Sequence, residues 1–143
     1  MPPGVMALFG QALALHQAGR LTEAEPLYAE VLRSHPRHFD SLHLLGVVHH
    51  QRGRYEEAIR RIDAALKENP GAATAHNNRG AALKDLGRLP EALASYDRAI
   101  ALAADYADAF NNRANVLKKL KRFDEALADY DRAIALGAAR PPE

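Results

Sequence analysis

The sequence repeats itself with a fixed step of 34 residues, and this period limits what the chain can fold into. Residues 77–102 read NNRGAALKDLGRLPEALASYDRAIAL and residues 111–136 read NNRANVLKKLKRFDEALADYDRAIAL, with 18 of 26 positions identical and an offset of 111 − 77 = 34. Continuing the step in both directions gives four repeats, 5–38, 39–72, 73–106 and 107–140, without insertions. Such a period indicates stacked copies of one supersecondary unit, each burying its apolar face against its neighbours.

Each repeat is predicted to form two helices joined by a tight turn. The turn carries glycine in three repeats and lysine in the fourth, at Gly19, Gly53, Gly87 and Lys121. Glycine suits the left-handed conformation that follows a helix end, so lysine should adopt it at a small cost. The second helices are predicted to open at equivalent positions, Thr22, Glu56, Pro90 and Asp124. There Thr and Asp can cap free amides, and Pro fits a first helical turn.

Small residues at fixed positions predict how the helices pack. Alanine or glycine occupies the eighth position of every repeat, and alanine the twentieth: Ala12, Gly46, Gly80 and Ala114, then Ala24, Ala58, Ala92 and Ala126. Such residues let helix axes approach to the short end of the usual ~8–10 Å range. Larger residues fill the remaining space, Leu15, Leu83 and Leu117 on first helices and Tyr28, Ile62, Tyr96 and Tyr130 on second helices.

The amino-acid composition argues against several classes of function. The net charge is +1, from 19 basic and 18 acidic residues, whereas a dedicated nucleic-acid binder has a clear cationic excess. The absence of cysteine excludes a disulfide framework, a thiolate zinc site and a cysteine nucleophile. No apolar run approaches the ~20 residues of a membrane span, and the first residues lack the basic start of a secretory signal. We therefore expect a soluble, cytoplasmic protein without nucleic-acid or membrane partners.

A 34-residue helix–turn–helix unit with these small residues and a tyrosine in the second helix resembles the tetratricopeptide repeat. The resemblance covers 4 × 34 = 136 of the 143 residues. It implies an all-α fold, a right-handed α-solenoid of four helix-turn-helix repeats that form a single domain over residues 1–143. The proline that usually closes a repeat is present as Pro36 and Pro70 but is replaced later by Ala104 and Ala138. A position that is more often aliphatic carries Gln11, Arg79 and Arg113.

The resemblance also implies that first helices line a concave groove in which ligands bind. Transferred position by position, this groove is apolar with histidines in the first two repeats and rich in asparagine and lysine in the last two. Nine of these positions are selected as candidate binding residues: Phe9, His43, Asn77, Asn78, Lys84, Asn111, Asn112, Asn115 and Lys118.

The asparagines are the main functional signal. A primary amide both donates and accepts hydrogen bonds, so a row of them can bind the backbone of an extended peptide whatever its side chains. Lys84 and Lys118 then favour an acidic partner. The alternative is that some of these asparagines bond neighbouring helices or water and contact no ligand.

Two sub-families allow sharper comparison. Repeat arrays that grip the acidic carboxyl end of chaperones use a Lys–Asn–Asn–Lys–Arg clamp, and only Asn78 matches it, so this clamp is not predicted. The third and fourth repeats are similar to the array that precedes the catalytic domain of O-linked N-acetylglucosamine transferases, whose groove is lined by asparagines. Asn78 and Asn112 match that ladder, whereas Gly10 and Leu44 interrupt it.

No catalytic motif is present in the sequence. A glycine-rich phosphate loop, a nucleophile elbow and a zinc-hydrolase motif are all missing, so we expect no enzymatic activity, cofactor or metal. His16 and His50 occupy equivalent positions of adjacent repeats, which lie roughly a helix-packing distance apart, too far for one ion. The aspartates of the second helices are expected to form a solvated face or to pair with arginines of the same helices: Asp97, Asp129 and Asp131 with Arg98 and Arg132.

The two ends of the chain suggest an alternative function. Met6, Phe9 and Leu13 form an apolar stripe that either packs under the next repeat or, if exposed, marks an association surface. No capping helix is predicted after the fourth repeat, because Pro141 and Pro142 cannot continue a helix. We therefore expect either a longer protein or a homo-oligomer formed through the uncapped ends.

The sequence as a whole predicts a non-enzymatic module that binds a peptide or protein segment in its groove. A rigid wall of amides would lower the ordering cost of binding. Two alternatives stay open: the substrate-recruiting part of a larger glycosyltransferase, and a self-associating scaffold.

Overall fold

The computed structural model describes residues 1–137, which form eight α-helices. In chain order these are α1 (Pro3–Gln17), α2 (Leu21–Ser34), α3 (Phe39–Gln51), α4 (Tyr55–Glu68), α5 (Ala73–Asp85), α6 (Leu89–Leu102), α7 (Ala107–Lys119) and α8 (Phe123–Ala135). They pair as α1–α2, α3–α4, α5–α6 and α7–α8. The prediction of an all-α chain of four helix–turn–helix repeats is confirmed. Ala138 and the terminal Pro141–Pro142 lie outside the described residues.

The turns within the repeats have the predicted left-handed residue. Their φ values are 77° at Gly19, 78° at Gly53, 79° at Gly87 and 61° at Lys121. The amide of the following arginine donates to a carbonyl five residues back, as in Arg20 to Leu15 at 2.9 Å and Arg122 to Leu117 at 2.8 Å. Lys121 shows that a side chain is tolerated here, because the same hydrogen bond closes the turn.

The predicted capping roles of Thr22 and Asp124 are wrong. Helices α2 and α8 begin one residue earlier, at Leu21 and Phe123, so both residues lie inside the first turn. The cap position holds arginine, which has no acceptor atom and makes no side-chain capping bond. The arginine instead pairs with a glutamate three residues on, for example Arg20 Nε to Glu23 Oε1 at 2.9 Å. That glutamate also favours the positive end of the helix dipole.

The contacts divide the chain into two compact units, each of two repeats. We call them the N-terminal unit, Met1–Pro70, and the C-terminal unit, Gly71–Glu143. The prediction of one domain across all four repeats stays a prediction. Within residues 1–137, no helix is both long and apolar enough to cross a membrane.

The cores of both units use the small residues as predicted. The alanines of the eighth and twentieth positions are buried, with Ala12, Ala24, Ala92 and Ala114 fully inaccessible. Gly46 and Gly80 allow close approach, since a Cβ atom would lie 2.6 Å from Cγ1 of Ile62 at the first and 2.6 Å from Cε1 of Tyr96 at the second. The Tyr28 and Tyr96 side chains are fully buried and fill the space between helices.

Candidate functional site

In the N-terminal unit, the two predicted groove residues lie against the core. The Phe9 ring centroid is 6.1 Å from that of Tyr28 and 5.2 Å from that of His38. His43 is only 8% exposed, with its ring 5.7 Å from Phe39. Burial lowers the pKa of His43, and the nearby Asp40 carboxylate partly opposes this effect. Phe9 and His43 therefore contribute to packing, and a ligand role for either stays a prediction.

His16 links the first helices of the N-terminal unit. Its Nε2 lies 2.8 Å from Oε1 of Gln51, and its Nδ1 lies 3.1 Å from the Tyr28 hydroxyl. Because an amide oxygen only accepts, Nε2 donates to Gln51 and Nδ1 accepts from Tyr28. Burial raises the pKa of Tyr28 to about 12, so the hydroxyl keeps its proton. Among the residues described, no three His, Asp or Glu side chains lie close enough to hold a metal ion.

In the C-terminal unit, two predicted asparagines bond each other across neighbouring first helices. Asn112 on α7 donates through Nδ2 to Oδ1 of Asn77 on α5 at 3.0 Å, and Asn77 is only 6% exposed. The bond uses one acceptor of Asn77 and one donor of Asn112, so each amide keeps further hydrogen-bonding capacity. It fixes the spacing of α5 and α7 along the predicted binding face.

The other predicted binding residues of this unit differ in their hydrogen bonds and burial. Asn115 accepts a hydrogen bond from the Tyr130 hydroxyl. Asn111 is partly buried, and its Oδ1 accepts no hydrogen bond from the described chain. Asn78 and Lys84 are partly buried, whereas Lys118 is exposed. At least three of the five asparagines thus bond other residues of the protein, which was the alternative interpretation, and Asn111 retains a buried acceptor.

The strongest polar contact of the C-terminal unit was not predicted. Arg113 on α7 binds Asp129 on α8 through two hydrogen bonds, from Nε to Oδ2 at 2.7 Å and from Nη2 to Oδ1 at 2.8 Å. Its Nη1 donates to Oδ1 of Asp97 on α6 at 3.0 Å. Asp129 is only 6% exposed. The hydrogen bonds to Asp129 and Asp97 raise the pKa of Arg113, although burial opposes them.

This contact corrects the expectation that Asp129 is solvated or pairs with Arg98 or Arg132. Those arginines lie on the exposed faces of their helices, whereas Arg113 projects from α7 toward α8. A signal was present in the sequence, because Arg113 stands where an aliphatic residue is usual. The preceding repeat uses the same positions for a neutral contact, Arg79 Nη1 donating to Oγ of Ser95 at 2.9 Å.

A pocket of about 390 Å³ surrounds Arg113 between α6, α7 and α8. Apolar and charged side chains line it together: Leu93, Asp97, Arg113, Leu117, Arg122, Glu125, Ala128 and Asp129. Arg122 pairs with Glu125 at the rim, with Nε and Oε2 2.5 Å apart. None of these residues is among the nine predicted binding residues.

Sequence profiles of the tetratricopeptide repeat match residues 9–60, 44–107 and 107–136. The chain belongs to the tetratricopeptide repeat family. It is therefore a protein-binding repeat domain, and the matched residues include all nine candidate binding positions. No curated protein sequence matches the chain.

Several solved tetratricopeptide structures are similar. A crystal structure of MamA is 25% identical, with a TM-score of 0.81, and the match covers 88% of this chain and 74% of MamA. The MamA 41-end structure from Desulfovibrio magneticus RS-1 is 19% identical, with a TM-score of 0.86, covering 92% and 75%. YrrB, described as a TPR protein with an unusual peptide-binding site, is 23% identical, with a TM-score of 0.81, covering 93% and 69%. These likenesses support the repeat fold.

Proposed function

We propose that this protein is a non-enzymatic module that binds an extended, acidic peptide or protein segment on α5 and α7 of the C-terminal unit. The observation that carries the proposal is the Asn77–Asn112 hydrogen bond, which holds two amides in fixed positions on neighbouring helices. Amides held in place need no reordering when a peptide backbone arrives, so less free energy is lost on binding. Membership of a protein-binding repeat family supports this proposal, as does the description of YrrB as a peptide binder.

Asn111 and Lys118 complete the proposed surface. The Oδ1 of Asn111 is buried and unsatisfied, so a rotation of the amide that brings it to a peptide N–H would relieve the cost of an unpaired buried acceptor. Lys118 is exposed about two helical turns beyond Asn111 on α7, where its charge would attract an acidic side chain. The positive charge of Lys118 would mainly raise the rate at which an acidic peptide associates with the protein.

The test begins with selecting peptides from a displayed library of extended sequences and measuring their affinity by calorimetry. The variant Asn111→Ala with Lys118→Ala is expected to weaken binding about tenfold, since one hydrogen bond and one ion pair are lost. Neither side chain has a described hydrogen bond, so the melting temperature should change little. Arg98→Ala, on an exposed position of α6, is the matched control. Unchanged affinity in the double variant would refute the proposed surface.

A second candidate function, a scaffold that binds copies of itself, is favoured by exposed apolar faces on α8 and α1. Phe123 and Leu127 on α8 are each 60% exposed, and Met6 on α1 is 57% exposed. The α6 residue equivalent to Leu127 is Leu93, which is partly buried beside α7. Helix α1 of a second copy would cover α8 as α7 covers α6. Light scattering of the wild type and Leu127→Glu tests this function, and a wild-type monomer at high concentration would refute it.

The third candidate, the substrate-recruiting region of a larger glycosyltransferase, stays a prediction from the similarity of the last two repeats to such arrays. It requires a catalytic domain in the same polypeptide. Reading the gene beyond the codon for Glu143 tests it directly, because an immediate stop codon would refute it.

A further inference from the structure

The pocket around Arg113 has a counterpart of different composition in the N-terminal unit. Each unit contains two repeats, so equivalent positions of the two units differ by 2 × 34 = 68 residues. Where α8 has Ala128 and Asp129, α4 has Arg60 and Arg61. The wall of the pocket thus has a small residue and a carboxylate at the positions where the N-terminal unit has two arginines.

In the corresponding region of the N-terminal unit, arginines pair with carboxylates of the same unit. Arg54, at the start of α4, donates from Nη1 to Oε1 of Glu25 on α2 at 2.6 Å. Arg61 Nε lies 3.3 Å from Oε1 of Glu57. The Arg54–Glu25 hydrogen bond shows that a guanidinium group fits between the second helices on this side of a two-repeat unit, whereas Arg61 pairs within α4.

The C-terminal unit lacks equivalent arginines at the two α8 positions but keeps carboxylates. Leu93 replaces Glu25, and Arg122, the equivalent of Arg54, pairs with Glu125 on its own helix. The pocket lining then contains three carboxylates and two guanidinium groups, a net charge of −1. Asp129 binds Arg113 through both oxygens, whereas Asp97 contributes one oxygen and its side chain is 61% exposed.

We propose that this pocket binds an arginine side chain of a protein or peptide partner. The guanidinium group would bind the exposed carboxylates of Asp97 and Glu125, and the aliphatic stem would lie on Leu93 and Leu117. Bidentate pairing with a carboxylate and a stem that covers apolar surface are the two properties that suit arginine to such a site. The site lies between the second helices and is separate from the amide surface of α5 and α7, so it goes beyond the proposed function.

The first test uses two acetylated, amidated tripeptides, Gly-Arg-Gly and Gly-citrulline-Gly, which have nearly the same shape and differ in charge. They are titrated into the full chain while amide resonances are followed by NMR. Saturable shifts in α6 and α8 are expected for the arginine peptide, with a Kd of about 1 mM. The citrulline peptide should bind at least about fivefold more weakly, because the charge-assisted bonds are lost. Equal affinity of the two peptides, or shifts elsewhere alone, would overturn the proposal.

The second test changes the pocket while keeping the fold. Ala128 is exposed, so Ala128→Arg should fold, and its guanidinium group should pair with Glu125 of the pocket as Arg60 pairs with Glu57 on α4. It is expected to abolish the shifts caused by the arginine peptide. Asp97→Asn should weaken binding about two- to fivefold, which is the range for an exposed ion pair. Asp131→Asn, on α8 like Ala128 but outside the pocket, is the control. Wild-type affinity in a folded Ala128→Arg variant would overturn the proposal.

Discussion

The N-terminal and C-terminal units share a backbone plan but stabilise their second helices with different chemistry. In the N-terminal unit, Leu45 of α3 is 2% exposed, and the charged residues, centred on Glu25, lie toward the edge. In the C-terminal unit, the equivalent of Leu45 is Arg113, which brings an ion pair with Asp129 into a largely buried position. This difference shows that the small residues of the repeat set the helix geometry. A single residue at a packing position, leucine or arginine, then decides whether charge is buried there.

The tyrosines of the second helices show a related difference. Tyr28 and Tyr130 stand opposite alanine, Ala12 and Ala114, and their hydroxyls bond His16 and Asn115. Tyr96 stands opposite Gly80 and is fully buried, and its hydroxyl has no hydrogen-bond partner within residues 1–137. Glycine therefore lets the ring approach the first helix more closely, at the expense of the hydroxyl bond that the first and fourth repeats keep.

The largest effect is expected from Arg113→Ala. Asp129 would lose both hydrogen bonds while its charge stays buried, so the free energy of unfolding of the C-terminal unit should fall by about 3 kcal/mol. Hydrogen exchange of amides in α7 and α8 during urea titration measures the loss, and amides of the N-terminal unit serve as an internal reference. Asp129→Ser should cost only about 1 kcal/mol, because serine can accept from Arg113 as Ser95 accepts from Arg79. Equal losses in the two variants would contradict the importance of the buried charge.

A smaller effect is expected from Gly80→Ala. The new Cβ atom would meet three atoms of the Tyr96 ring at 2.6–2.9 Å, so the ring must move toward the position that Tyr28 and Tyr130 adopt. The strain should exceed the gain in helix propensity and leave a net loss of about 1–2 kcal/mol. Gly10→Ala in α1, where no atom of the described residues lies within 4 Å of the new Cβ, is the matched control and should be stabilising. Denaturant unfolding measures both, and a stabilised Gly80→Ala variant would refute the tight contact.

The smallest effect is expected from pH, and it should be confined to the N-terminal unit. Burial lowers the pKa of His43 below the ordinary value of 6.5, so near neutral pH the folded and unfolded forms are both mainly neutral. As pH falls through 6.5, the unfolded chain binds a proton that the folded chain resists, and stability is lost. Amide exchange in α3 between pH 7.5 and pH 5.5 should show this loss. His43→Gln should reduce the slope, and an unchanged slope would show that other groups cause it.

Features that depend on neighbouring residues along the chain were predicted well. The helix pairs, the left-handed turn at Gly19 and the packing role of Ala12 and Gly80 all follow from a period and from residue types that repeat. The starts of all four second helices, α2, α4, α6 and α8, were predicted one residue late. The reason is that Thr22 and Asp124 are good capping residues in isolation, whereas the turn geometry places arginine at the cap position.

Side-chain partners on different helices were predicted poorly. The asparagines were chosen for what they could offer a ligand, yet the amides of Asn77, Asn112 and Asn115 form bonds within the protein. Asp129 was assigned to neighbours on its own helix because spacing along one helix can be read from sequence. Its partner Arg113 lies 16 residues away on another helix, where only the packing angle brings the two together.

The sequence by itself determined the helix–turn–helix repeat and the residues at the helix contacts, because backbone preference and small side chains act within each 34-residue period. Only the tertiary structure decided which polar groups are satisfied internally and which remain available. The free energy of a buried charge or amide depends on the atoms within about 3 Å of it, and those atoms belong to other helices. The pocket around Arg113 is the clearest case, because side chains of three helices form it and no one of those helices predicts it.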